Sequence, residues 1–323
     1  MEPSASDASY AADTPSTPRG VALAGLRGRT LRYAEVIPEA TGPGRIRRLG
    51  TCDFDADAEA ALLGPEGTPH LDVLARALAD VFDGAPLESL VVAAHPNRTV
   101  SFFTPLPDGL APEARYAQLR QEAALLADVP AHLPVRIRAV PVRTETIGGA
   151  PHRWHHALHV PEHVHDRLTL LAQTLGVASY DLSDTTQGTA ALVRALAPPA
   201  TPDAAADPPP LVLAVGAYAQ HTEYALCRGT EWLHGHYGPS AAPEDTAYFA
   251  LALLERLGLA PSALETLYAY GDELSEERLG LLAEFLDRPA QPLDPFALFA
   301  RRPEGVAPET LAAFAPVLGA ALR

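Results

Sequence analysis

Six of the chain's 12 histidines, His152, His155, His156, His159, His163 and His165, fall within one short stretch. Imidazole nitrogens at regular spacing are common zinc ligands. On one helix, His155 with His159, or His159 with His163, would stand four residues apart on one face and could share an ion. Pro161 breaks that arrangement, because it separates a strand from a new helix start. His155 and His159 then share a strand face while His163 belongs to the next element. The pattern therefore names no metal site, with His155, His159 and His163 as the nearest approach to one and surface or interface positions as the plainer expectation. No HExxH pattern accompanies them. His221, His234 and His236 fall in a later strand region and are expected to face solvent. No Gly-x-Ser-x-Gly elbow offers a nucleophile, and Cys227 lies inside an expected strand, where a thiol is buried and inert. The compact basic group Arg45, Arg47 and Arg48 reads as a solvated strand edge, with a small anionic contact as the alternative. No catalytic residue is expected from these patterns.

The background is acidic. In 323 residues, 24 Lys+Arg face 40 Asp+Glu, a formal charge of −16, which repels nucleic-acid phosphates and anionic membrane surfaces. Cys52 and Cys227 are too far apart in sequence for a redox or metal motif and suggest no oxidising compartment. No stretch approaches the roughly 20 apolar residues of a membrane-spanning helix. The amino terminus is acidic where a signal peptide would be basic. The expectation is a cytoplasmic protein that serves a membrane only through a partner. A hydrophobic content of 47% is ample for a core.

Residues 1–18 are built from Ser, Ala, Pro, Thr and Asp without apolar periodicity, as in a disordered tail. A Pro/Ala-rich stretch at 197–210 separates two structured segments, 19–196 and 211–323, as an interlobe linker or a long surface loop. The first segment opens with expected strands at 21–26, 30–37 and 45–54. A helix at 69–82, strands at 87–94 and 100–104, a helix at 113–126 and strands at 135–144 and 154–160 follow. A helix at 162–176 then ends at Gly176. The second segment opens alike, with strands at 211–215, 222–227 and 231–237 before a helix at 245–257. Placing Gly25 on Gly216 also places Tyr33 on Tyr224 and Ala34 on Ala225, at the same point of the same strand-turn-strand unit.

Two ribonuclease-H-like lobes, each opening with a β-meander, define the superfamily of actin, Hsp70 and the sugar kinases, and the order of elements here resembles it. The carboxyl end narrows the resemblance. A strand at 265–270, Gly271, a helix at 276–286, a strand at 289–293, the run Asp294-Pro295-Phe296 and a closing helix at 308–323 ending GAALR follow one another as in the PilM family. PilM is the actin-like cytoplasmic component of type IV pilus assembly, and the resemblance runs from about residue 20 to residue 323. It implies an α/β fold of two actin-like lobes, the first with an inserted subdomain, around a central cleft. It also implies a protein partner, since PilM grips the cytoplasmic tail of an inner-membrane pilus protein.

Actin-like ATPases carry Asp-x-Gly at the end of the first strand of each lobe, where the carboxylate holds hydrated Mg²⁺ and the turn offers backbone N–H groups to phosphates. Here those positions read Leu23-Ala24-Gly25 and Ala214-Val215-Gly216. Gly25, Gly28, Gly216 and Thr222 are thus degenerate phosphate-loop positions. Gly271 is a lone glycine on the adenosine side, where the family places several. The expectation is a pseudo-ATPase without cofactor, serving as a scaffold for a peptide of a pilus or secretion machine. Two alternatives remain open. A shifted register could recruit Asp53, Asp55, Asp181 or Asp184 to make a nucleotide-binding ATPase, and the histidines could build a metal-dependent enzyme.

Overall fold

In the computed structural model the described residues are 18–39, 42, 44–65, 70–129, 135–197, 209–299 and 306–322. The expected tail at 1–18 and the stretch at 197–210 therefore lie, apart from their edges, outside the described residues. Strand β1 (Gly20–Arg27) is apolar on both faces, as a central strand must be. It sends Ala22, Ala24 and Leu26 into one core and Leu23 into another.

Strands β2 (Thr30–Ile37) and β3 (Arg45–Asp53) continue from it as an antiparallel meander. Helices α1 (Ala58–Leu63) and α2 (Leu71–Val81) lead to β4 (Leu87–Ala94), which lies parallel to β1. An inserted antiparallel sheet follows, in the order β5-β7-β6, from β5 (Val100–Pro107), α3 (Pro112–Leu126), β6 (Arg136–Ile147) and β7 (Ala150–Val160). Helix α4 (Glu162–Leu175) stops at Gly176, whose φ of 65° suits glycine. Strand β8 (Ser179–Asp184) then completes the first five-stranded sheet, β3-β2-β1-β4-β8.

The second lobe repeats this plan. Strands β9 (Leu211–Ala217), β10 (Thr222–Arg228) and β11 (Glu231–Gly238) form the meander. Helix α6 (Pro243–Arg256), β12 (Leu264–Gly271), α7 (Glu276–Leu286) and β13 (Ala290–Pro292) complete the sheet β11-β10-β9-β12-β13. The sequence repeat is carried into the hydrogen-bond register. Gly25 faces Arg32 and Gly216 faces Glu223, while Ala24 faces Tyr33 and Val215 faces Tyr224. On the parallel side Gly25 lies beside Ala93 and Gly216 beside Tyr270.

Two helices tie the lobes together by crossing over. Helix α5 (Thr185–Leu196) follows the first sheet but packs Ala190, Leu192 and Val193 with Val212, Ala214 and Cys227 of the second. Helix α9 (Ala315–Gly319) follows the second sheet, after α8 (Pro308–Ala312), and packs Val317 and Leu318 with Leu23, Ala34 and Val36 of the first. The backbones of α5 and α9 touch at Gly188 and Gly319, where neither position has room for a methyl group. The single closing helix expected from sequence is two short ones because Pro316 cannot donate to the preceding turn.

Candidate functional site

Residues 27–30 and 218–221 are the tight turns after β1 and β9, equivalent in the two lobes. Both line one cavity of about 410 Å³, together with Asp57, Glu59, Asn97 and Arg98. The residue after each central parallel strand reaches across to the other lobe. His95 follows β4, and its Nδ1 lies 2.6 Å from Glu223 Oε1 on β10. Asp272 follows β12 and forms ion pairs with Arg27 and Arg32 of the first hairpin. By the repeat, His95 matches Asp272 and Arg32 matches Glu223. The lobes are therefore joined by a reciprocal pair of contacts with the charges exchanged.

Glu223 is fully buried and also receives Thr185 Oγ1 at 2.8 Å, His221 Nε2 at 3.0 Å and the Tyr270 hydroxyl at 3.1 Å. Burial alone would raise its pKa, but His95 and His221 outweigh burial and hold the carboxylate ionised. Burial likewise opposes charge on His95, and Glu223 overcomes it and raises the imidazole pKa. The Tyr218 ring closes the group. It stacks on His221 with centroids 4.9 Å apart and meets His95 edge-on at 4.5 Å. Burial pushes the Tyr218 and Tyr270 hydroxyls well above the usual phenol range.

Of the expected nucleotide-binding positions, Gly28 lines this cavity with open space beside it, while protein groups lie close against Gly25, Gly216, Thr222 and Gly271. The space beside Gly25 is taken by Val317. The Gly28 N–H donates to Glu59 Oε2 at 2.8 Å, so a carboxylate stands where a turn amide would meet a phosphate oxygen. At Gly216, a methyl group would lie 2.7 Å from the Tyr270 ring, so the glycine makes room for a side chain of its own sheet. Thr222 is buried with its hydroxyl 2.8 Å from that of Tyr224. Gly271, at φ 101°, presses on the Ala217 backbone. Leu23 and Ala214 are both fully buried.

Of the four aspartates that a shifted register could recruit, Asp53 accepts from Thr30 at 2.8 Å and Asp55 lies 3.8 Å from Arg29. Asp181 pairs with Arg138 at 2.5 Å. Asp184 caps α5, accepting from the Thr186 N–H at 2.7 Å and from Ser101 at 2.9 Å. Burial pushes the Asp184 carboxyl up to about 6.

The histidine stretch is divided as Pro161 implies, but its burial differs from expectation. His155, His156 and His159 on β7 are buried, not at the surface. His155 Nδ1 meets the Arg153 carbonyl at 2.9 Å, and His163 Nε2 lies 3.4 Å from the Leu63 carbonyl. His155, His159 and His163 do not converge; among the described residues the histidine-containing clusters are His95, His221 and Glu223, and Glu162, His165 and Asp166. His221 is buried at the lobe junction, contrary to the solvent-facing expectation, because its turn faces the other lobe. The basic group is also engaged: Arg47 and Arg48 pair with the buried Glu35, and Arg48 donates to the carbonyls of Val81 and Asp83. Cys227 behaves as expected, its thiol pushed up to about 12 by burial.

The inserted sheet leans on the second lobe. Arg143 stacks over Trp154, 4.4 Å from its ring centre, and donates to the Leu233 carbonyl on β11. Phe103 and His156 pack against Trp232, with centroids 4.9 and 4.5 Å apart. Neither His95 nor Glu223 was singled out from sequence. The repeat carried the signal, since it sets Glu223 opposite Gly216 as Arg32 is set opposite Gly25.

No protein-family profile matches the chain, and no curated protein matches it in sequence. Solved structures do match. A chain of the "PilM-PilN type IV pilus biogenesis complex" superposes with a TM-score of 0.64 at 17% identity, over 95% of this chain and 97% of that one. A protein from Bacteroides thetaiotaomicron with an actin-like ATPase fold and unknown function superposes with a TM-score of 0.50 at 12% identity, over 88% and 94%. The expected fold is therefore shown: this is a two-lobed α/β protein of the actin-like ATPase fold, PilM-like in architecture.

Proposed function

We propose that the chain is a PilM-like scaffold that works without turning over nucleotide and holds a peptide of a membrane-associated pilus or secretion machine. One observation carries the first half: at the cavity where this fold would hold a magnesium nucleotide, the cations and the turn amide that phosphates would meet are already engaged by the protein's own carboxylates. The residues present do not fit that cofactor. Leu23 and Ala214 offer no oxygen to Mg²⁺. Tyr270 and Val317 occupy the space beside the two glycines, and Glu59 takes the Gly28 amide. The cationic groups at the cavity each face a carboxylate, Arg27 facing Asp272, Arg29 facing Asp55, and Arg98 facing Asp57 and Glu59. A polyphosphate would meet at least as much negative as positive charge there.

The second half rests on two sheet edges that meet at one groove. Strand β8 ends the first sheet and β6 ends the inserted sheet, and Arg138 of β6 reaches Asp181 of β8. Between them lies a cavity of about 280 Å³ lined by Tyr116, Ile137, Val160, Leu168, Tyr180 and Leu182, with Arg136 at its rim. Edges that pair with no further strand among the described residues, beside an apolar pocket, suit an extended peptide, which gains main-chain bonds from the edge and specificity from alternate side chains. Among the described residues no helix is long and apolar enough to cross a membrane.

Site-specific photo-crosslinking in the native host tests this. A benzoylphenylalanine at Tyr116 should capture a membrane-anchored protein, while one at Tyr248, exposed on the second lobe, should not. Equal capture from both sites, or none from Tyr116, would overturn the proposal.

A further inference from the structure

The group at the lobe junction has an internal imbalance. Glu223 Oε1 faces three donors, His95 Nδ1, His221 Nε2 and Thr185 Oγ1, at 2.6, 3.0 and 2.8 Å. A carboxylate oxygen has about two good lone-pair directions. Without an ion, both imidazoles must direct an N–H at the same crowded oxygen. Two imidazole nitrogens and a carboxylate oxygen converging from buried positions form instead a donor set of the kind that holds zinc. The three ligand atoms lie within 4.8 Å of one another. A second observation concerns Tyr218, 2% exposed, whose hydroxyl has no hydrogen-bond partner among the described residues although its ring lies against both imidazoles.

We propose that His95, His221 and Glu223 bind a divalent transition metal of the zinc class, which staples the two lobes together. His95 comes from the end of β4 in the first lobe, whereas His221 and Glu223 flank the start of β10 in the second. The site is complete only when the lobes are closed. A bound ion would replace two N–H···O contacts with coordination by both imidazoles and the carboxylate, which removes the crowding at Oε1. Burial of three ligands from two lobes gives the ion a structural role, and the proposal is independent of any partner peptide.

The test uses the full chain without a polyhistidine tag, purified without chelator, followed by metal analysis and titration with Zn²⁺ and Co²⁺ against a chromophoric chelator. The expected result is one zinc or cobalt per chain, bound more tightly than about 1 µM, with visible cobalt bands typical of low coordination number. Glu223→Gln and His221→Asn should lose the ion. His165→Ala, in the separate cluster of Glu162, His165 and Asp166, should keep it. Wild-type protein that carries no metal and takes up none more tightly than about 10 µM would overturn the proposal, whatever the variants do. Metal that leaves with His165→Ala would overturn it equally.

Discussion

Replacing Asp272 by asparagine keeps the side chain's size and removes only its charge, so it isolates half of the reciprocal contact between the lobes. The Asp272 side chain is 8% exposed and lies between Arg27, 28% exposed, and Arg32, 17% exposed. Breaking a buried ion group by removing one partner costs about 3–5 kcal/mol, because the remaining charge is left desolvated. Solvent that reaches Arg27 absorbs part of this, which sets the expectation at the lower end, about 3 kcal/mol. Equilibrium urea unfolding of the two proteins, followed by circular dichroism, measures the difference. The control is Asp72→Asn, which removes an exposed pair with Arg76, 66% and 72% exposed, and should change stability by no more than about 0.5 kcal/mol. In a double-mutant cycle with Arg32→Gln, the second substitution should cost much less in the Asp272→Asn background than in wild type. If Asp272→Asn costs less than about 1 kcal/mol, these contacts are no stronger than surface pairs and the lobes are not latched as described.

Gly319→Ala should destabilise the protein by about 1–3 kcal/mol, since a methyl group there meets the Gly188 carbonyl and must push α9 off α5. An unchanged thermal midpoint would contradict that crossing. Burial holds the His156 imidazole neutral, its pKa lowered from 6.5 to about 3. The unfolded chain therefore takes up that proton first: no cost arises above pH 6.5, and stability falls as the pH drops from there toward 3. Near pH 5 the loss should be about 2 kcal/mol. His156→Phe, which keeps a ring against Phe103 and Trp232, should remove this part of the acid dependence. An unaltered slope between neutral pH and pH 5 would show that His156 is not buried as described.

Much of the fold was legible because its signals are local. The two meanders, the stop at Gly176 and the repeat linking Gly25 to Gly216 all depend on short-range pattern. Strand β8 was harder to see because Ser179–Asp184 is short and polar, and it becomes a strand only by pairing with β4. The site was half legible. Leu23 and Ala214 could be read as lost carboxylates, but the groups that fill the space, Tyr270, Val317 and Glu59, come from distant parts of the chain. His221 and His95 follow the same logic: His221 reads as a solvent-facing position of the second meander and nothing local marks His95, and only closure of the lobes brings both to Glu223.

At the cavity of this actin-like fold, Asp272, Asp57 and Glu59 engage the arginines and Glu59 takes the Gly28 amide, so the proposed function requires that ATP find no site there. Titration of the wild-type protein with ATP and Mg²⁺ in a calorimeter, with phosphate release assayed on the same samples, addresses it most directly. No binding heat is expected up to about millimolar ATP, and no phosphate release above the protein-free rate. Binding at about micromolar ATP, or turnover that depends on Mg²⁺, would contradict it.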